Sequence, residues 1–397
     1  MESQRSLFDI PEDVTYLNAA YLGPRLKSVE AAGRAALEKT ARPWEIAPEH
    51  FFAEAEIARE RFAALVGGDA DGVALIPSVS YGIALAAKNL PVARGKNVVV
   101  LEEQFPSNVY EWRDAAARAE GAVVTVPRPD DHDWTRAVLE RLDEKTAIVA
   151  VPNCHWTDGT VVDLVRVGEA ARAVGAALVV DATQSLGVRP LDVRAVQPDW
   201  LVVTGYKWML GPFSLGYCWV APHLRDGEPL ERNWLVRAGA EDFAGLVRYT
   251  DELAPGARRY DMGERANFHL LPMGIAALEQ LLAWGGRVDR GLHRRVDRRD
   301  RRRGGEPGLG RRAADVEVEA HARPAEAGGD PGEAAGAAEG CERVRERARE
   351  LDPGGAARVQ RPGGRGPVAG GARTGVDPRR AAASPFPSRT RPSCPPS

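Results

Sequence analysis

Apolar residues in this chain gather into short runs separated by longer amphipathic stretches. Residues 98–104 (VVVLEEQ), 147–154 (AIVAVPNC), 177–184 (ALVVDATQ) and 200–206 (WLVVTGY) are β-rich and nearly all apolar at their starts. Residues 163–176 (DLVRVGEAARAVGA) instead space Leu164, Val167, Ala171 and Val174 three or four apart, on one face of a helix. Strands alternating with helices of this length predict an α/β fold with a mostly parallel sheet. Strands without polar alternation predict helices covering both faces of that sheet.

The pattern runs from Tyr16 to Trp284 and then stops. A helix-like stretch, 270–285 (LLPMGIAALEQLLAWG), loses its apolar period where it should continue. From Arg287 to Ser397 there is no Ile, Lys, Asn, Met, Tyr or Trp, and Phe386 is the only aromatic residue. The Arg, Gly, Ala and Pro that dominate there cannot bury enough apolar area to offset chain entropy, so disorder is expected. A change of reading frame near Gly285 or Gly286 accounts for the composition better than a natural basic tail, because GC-rich DNA read out of frame yields this mixture. The expected organisation is an N-terminal arm (1–20), a large domain (21–255), a connecting segment with the start of a long helix (256–286), and the atypical tail (287–397).

Composition narrows the class. A net charge of −3 gives no reason to expect nucleic acid or an anionic membrane as partner. No apolar run approaches the roughly 18 residues of a membrane span. Cys154, Cys218, Cys341 and Cys394 lack metal-ligand spacing and read as reduced thiols. The first residues, MESQRSLFDIPED, carry no apolar signal core, and a cytoplasmic protein is expected. No G-x-G-x-x-G follows the early strands, which argues against a dinucleotide fold.

Against this background one lysine is out of place. Lys207 sits between Tyr206 and Trp208 at the end of an apolar strand, where a bare ammonium is costly. Asp181 closes another such run 26 residues earlier. Ligands of doubly wound sheets bind beyond the carboxyl ends of strands, so both side chains are expected at one crevice. An acid and an amine there suit pyridoxal 5′-phosphate (PLP). The amine forms a Schiff base, and the carboxylate keeps the ring nitrogen protonated.

The surrounding residues carry a resemblance. DATQSLGVRPLDV (181–193), followed by PDWLVVTGYKWMLGPFSLGYCWV (198–220), resembles the class V family of PLP-dependent aminotransferases. That family includes cysteine desulfurases, kynureninases and isopenicillin-N-epimerase-like enzymes. Similarity extends from YLNAAYLGP (16–24) to DMGERANFHLLPMGIAALEQLL (261–282). It implies a fold-type I architecture with a seven-stranded-type sheet, a large PLP-binding domain, and a C-terminal small domain that is here lost or disordered. It also implies a homodimer and a small amino acid as substrate.

By the same resemblance, Lys207 carries the cofactor and shuttles the substrate's α-proton, Asp181 holds the pyridinium nitrogen, and Gln184 bonds the ring hydroxyl oxygen. Ser80 and the amide of Val79 fall at the phosphate, where Ser78 or Ser80 could equally be a helix cap. Tyr206 matches a phosphate-contacting tyrosine of the kynureninase-like branch, and Phe105 takes the position that stacks on the ring. Asn153, His155 and Thr157 are candidates on the cofactor's hydroxyl side, His155 being carried forward. In RRYDMGERANF (258–268), Asn267 or Glu264 either reaches the neighbouring subunit's phosphate or braces a turn. The reaction implied is transamination, with desulfuration, other elimination or epimerisation as alternatives. A PLP-binding but catalytically defective protein is the rival of another class. No arginine of the tail matches a substrate-carboxylate residue, and Cys341 has no recognisable context.

Overall fold

The computed structural model describes residues 3–300, with side chains as far as residue 285. Seven strands form one sheet: β1 (Val73–Ile76), β2 (Asn97–Leu101), β3 (Ala122–Val126), β4 (Thr146–Pro152), β5 (Ala177–Asp181), β6 (Trp200–Thr204) and β7 (Gly216–Val220). Their spatial order is β1-β7-β6-β5-β4-β2-β3. β7 pairs antiparallel with both neighbours, and the other pairings are parallel. The mostly parallel sheet expected from the apolar runs is therefore present. The antiparallel strand follows from a short connection, residues 205–215, which cannot make the crossover that a parallel neighbour needs.

Eight helices accompany the sheet among the described residues: α1 (Lys27–Thr40), α2 (Ala53–Val66), α3 (Val79–Asn89), α4 (Tyr110–Arg118), α5 (Trp134–Leu139), α6 (Leu164–Ala173), α7 (Val193–Val196) and α8 (Leu270–Asp300). Alternate strand residues feed two separate cores. Leu178, Val180, Leu201 and Val203 pack with Phe62, Val66, Trp134 and Val167. Val179, Trp200 and Val202 pack with Ile83, Leu85 and Trp112. Because successive strand residues point to opposite faces, a sheet covered on both sides requires the unbroken apolar runs seen in the sequence.

The helix expected over 163–176 is α6, shorter at both ends. Asp163 Oδ1 accepts from the amides of Val165 (3.1 Å) and Arg166 (3.2 Å), so it caps the helix. α8 starts at the predicted place, and its backbone continues to Asp300, past the point where the apolar period ends. Arginine is a good helix former, which accounts for the extension into an arginine-rich run. The remainder of the tail, 301–397, with Cys341, Cys394 and any small domain, lies outside the described residues.

A fully buried ionic network joins α2, β1 and the segment leading to α8. Asp261 accepts from Arg59 and, at 2.7 Å, from Arg265. Its other oxygen accepts from the amide of Leu75 at 2.9 Å. Arg59 and Asp261 are both 0% exposed, so each charge depends on its partners for the solvation that water would give. Asp261→Ala is expected to destabilise the protein by about 3–5 kcal/mol, because buried Arg265 loses its anion and buried Arg59 keeps only the part-exposed Glu56. Urea unfolding of the variant beside the parent measures this. A loss of under about 1 kcal/mol, the value of an exposed pair, would contradict it.

Candidate active site

β5 and β6 are parallel neighbours, with Asp181 opposite Val202 in register. Their carboxyl ends therefore open side by side. After Thr204 the chain turns at Gly205, where a Cβ would stand 2.5 Å from the carbonyl of Leu215. The turn brings Lys207 back over the strand ends. Lys207 is 7% exposed and Asp181 6%, yet both border a cavity of about 360 Å³.

The side-chain amine of Lys207 makes no hydrogen bond or close ion pair with a described residue. Its amine lies 5.2 Å from the ring centre of Phe105 and 6.0 Å from that of Tyr206. Burial lowers the pKa of this amine, and the more distant Asp181 opposes the shift. Burial likewise raises the pKa of Asp181, against the amide (3.0 Å) and hydroxyl of Thr183 and against Lys207. Desolvation thus outweighs mutual attraction at both groups and favours their neutral forms. A cationic group placed in the cavity would restore the carboxylate.

The start of α3 forms another wall. Ser78 caps the helix, its Oγ accepting from the amide of Tyr81 at 3.2 Å. The amides of Val79 and Ser80 have no acceptor among the described residues, as expected for a first helical turn. Ser80 Oγ lies 2.9 Å from Ser78 Oγ. Free amides, two hydroxyls and the positive end of the helix dipole, all at the cavity, suit an anion such as a phosphate. Tyr206 also lines the cavity, its ring 4.4 Å from that of Phe213.

The other expected residues divide. Gln184 lines the cavity while its amide donates to Ala20 O (3.1 Å) and accepts from Trp208 Nε1 (2.9 Å). One N–H and one lone pair remain for a ligand. Phe105 lies beside Lys207 and meets Trp156 edge to face at 5.5 Å. His155 does not border the cavity. It is fully buried and stacked on Trp134 at 5.0 Å, with both ring nitrogens engaged inside the protein. Asn267 does not border it either, and its side chain accepts from the amides of His269 (3.2 Å) and Leu270 (3.0 Å) at the start of α8. Glu264 is exposed.

Neither Asn153 nor Thr157 is a lining residue. Cys154 and Trp156 take that place, as do Ser107, Thr183, Phe213 and Ser214. The alternation of side chains beyond β4 puts even-numbered residues on the cavity side, and the odd-numbered polar ones point away. The N-terminal segment completes the frame. The amide of Gly23 donates to Tyr206 O at 2.9 Å, and a Cβ on Gly23 would lie 2.1 Å from Lys207 O. Among the described residues no helix is long and apolar enough to cross a membrane, and no cluster of three metal-ligating side chains occurs.

Residues 42–232 match the aminotransferase class-V family. It is 31% identical over 212 residues to an uncharacterized aminotransferase of Bacillus subtilis, YcbU, covering 53% of this chain and 54% of that protein. It is 26% identical over 302 residues to the kynureninase of Deinococcus radiodurans, covering 73% and 70%. Its fold is similar to that of C-DES, solved as a lysine-to-alanine mutant with glycine covalently linked to the PLP cofactor. The TM-score is 0.63 at 20% identity, covering 70% of this chain and 74% of that one. The chain spans about half the length of the first curated relative it matches.

The lowered pKa of the Lys207 amine has a direct consequence. Each unit of lowering raises the neutral, nucleophilic fraction about tenfold at pH values below the ordinary lysine range. Competitive acetylation with peptide mapping is therefore expected to label Lys207 faster than the exposed Lys145 at neutral pH. Equal or slower labelling of Lys207 would mean that its ammonium is not destabilised by the cavity.

Proposed function

We propose that this chain binds PLP through Lys207 and acts on the amino group of a small amino acid. The observation that carries this is the pair of buried groups, amine and acid, facing one cavity from adjacent strand ends without pairing closely with each other. The residues present suit the cofactor. Lys207 offers an amine whose neutral form burial favours, and Asp181 an acid whose ionised form a cationic ring nitrogen would favour. Val79 and Ser80 offer unpaired amides to the phosphate, Phe105 a flat face, and Gln184 a spare donor and acceptor.

Bound there, PLP supplies an electron sink for negative charge developing at the substrate's α-carbon. Lys207 Nζ would hold the cofactor and would be the base placed to move the proton at the substrate's α-carbon. Asp181 keeps a proton on the ring nitrogen. The aromatic rings of Phe105, Trp156 and Phe213 give the cavity an apolar wall beside Lys207. In this reading residues 21–255 form the cofactor domain, 1–20 an arm and 256–286 a connector, in a cytoplasmic homodimer. Transamination is our first choice of reaction, with desulfuration or another lyase step, or epimerisation, as alternatives.

One observation favours a second reading, a protein that holds PLP without turnover. Lys207 and Asp181 are the only charged residues bordering the cavity among the described residues, so none there is placed to grip a substrate carboxylate.

Adding PLP to the purified chain is expected to give a visible absorption band, and borohydride reduction should fix the cofactor to the Lys207 peptide. Lys207→Ala should abolish both. With an accepted amino acid, it should also cut the rate by about 10²–10⁴-fold. A folded parent with no band would sink the PLP reading. A band without turnover of any amino acid would select the second reading.

A further inference from the structure

We infer that Arg128 is a positioning residue that clamps together the two loops forming the aromatic wall of the cavity, acting through Thr157 and His155. What the wall is for rests on the proposed PLP site, whereas the clamp is a property of the protein alone.

Arg128 follows β3 and lies outside the cavity, its side chain 27% exposed. Its guanidinium pairs with Glu103 at 2.7 Å and with Asp158, and donates to Thr157 Oγ1 at 2.8 Å. Its backbone amide donates to Glu102 Oε2 at 2.8 Å, and its Cζ lies 5.4 Å from the ring of Trp134. Glu102 and Glu103 start the loop after β2, which continues to Phe105. Thr157 and Asp158 belong to the loop after β4, which carries Cys154 and Trp156. One planar cation thus holds both loops, a geometry that suits the fixed fork of arginine.

The contacts beneath it have a defined direction. Glu102 O can only accept, so His155 Nε2, 3.0 Å away, carries the hydrogen. In the neutral ring, Nδ1 then accepts, and its partner at 2.9 Å is the hydroxyl of Thr157. Thr157 Oγ1 in turn accepts from Arg128. In the neutral ring the chain runs Arg128 to Thr157 to His155 to Glu102, each group donating to the next, and it selects the Nε2–H tautomer. A third tie joins the loops, from Trp156 Nε1 to Glu103 O at 2.7 Å. Glu103 has φ of 55°, a conformation that non-glycine residues seldom adopt, so its loop needs such ties. Phe105 and Trp156, the two rings that meet at 5.5 Å beside Lys207, are placed by these two loops.

The test uses the full chain with Arg128→Ala, Thr157→Val and Arg128→Lys. Amide hydrogen exchange without cofactor reads the clamp directly. In Arg128→Ala, segments 102–107 and 153–160 should both exchange about tenfold faster or more, while β5 and β6 keep their protection. Thr157→Val should loosen the same two segments to a smaller extent. Arg128→Lys should not restore them, since an ammonium cannot reach the separate acceptors of the fork. Titration with PLP should then show affinity weakened about tenfold in Arg128→Ala. Faster exchange in one loop alone, in neither, or equally across β5 and β6 would overturn the clamp, and so would full rescue by lysine. Thr157→Val decides the matter should Arg128→Ala not fold. If the parent itself takes up no PLP, the proposed function falls while the exchange result still decides the clamp.

Discussion

Buried charge is satisfied in one part of this protein and left open in another, and the fold is organised around that difference. Asp261, Arg59 and Arg265 are buried together, and every charge in the group finds an opposite partner. Asp181 and Lys207 are buried almost as deeply, at the ends of β5 and β6, without a close partner for the amine. A chain that can pair its buried ions and does not do so here bears a desolvation cost at both groups. Perturbed groups of opposite sign facing a cavity mark a place for chemistry. The parallel pairing of β5 with β6 imposes this arrangement, because it delivers both side chains to the same end of the sheet.

Holding the lysine there takes irregular backbone. The return from Lys207 to β7 includes Leu210 at φ 55° and Ser214 at φ 62°. Gly187, at φ 108°, packs so closely under this loop that a Cβ would stand 2.1 Å from Trp208 O. Gly23 approaches from the N-terminal side, against the carbonyl of Lys207 itself. The network at Asp261 ties β1 to the segment that enters α8, and so fixes one side of the sheet whose other strands carry the amine and the acid. Local strain near the cavity is sustained by well-satisfied structure elsewhere.

Much of this was legible from periodicity. The apolar runs gave β2, β4, β5 and β6, since a strand buried on both faces leaves no room for polar alternation. Of the two serines read as a phosphate site or a helix cap, Ser78 is the cap at the start of α3. Individual side chains in loops were harder to read. Asn153, His155 and Thr157 are polar residues of their loop and drew the expectation of ligand contact. The structure buries His155, leaves Thr157 exposed outside the cavity, and presents Cys154 and Trp156 to the cavity instead. Asn267, expected to reach another subunit or brace a turn, caps α8.

Lys207, Asp181 and the strand-then-helix order were determined by the sequence alone, because residue type and local period act over a few neighbouring positions. Which loop residues face the cavity was decided only in the tertiary structure. So were the antiparallel entry of β7 and the convergence of Arg128 on two loops distant in the chain. These depend on the relative placement of separate strand ends, and no local propensity encodes the direction from which a distant carbonyl or carboxylate arrives.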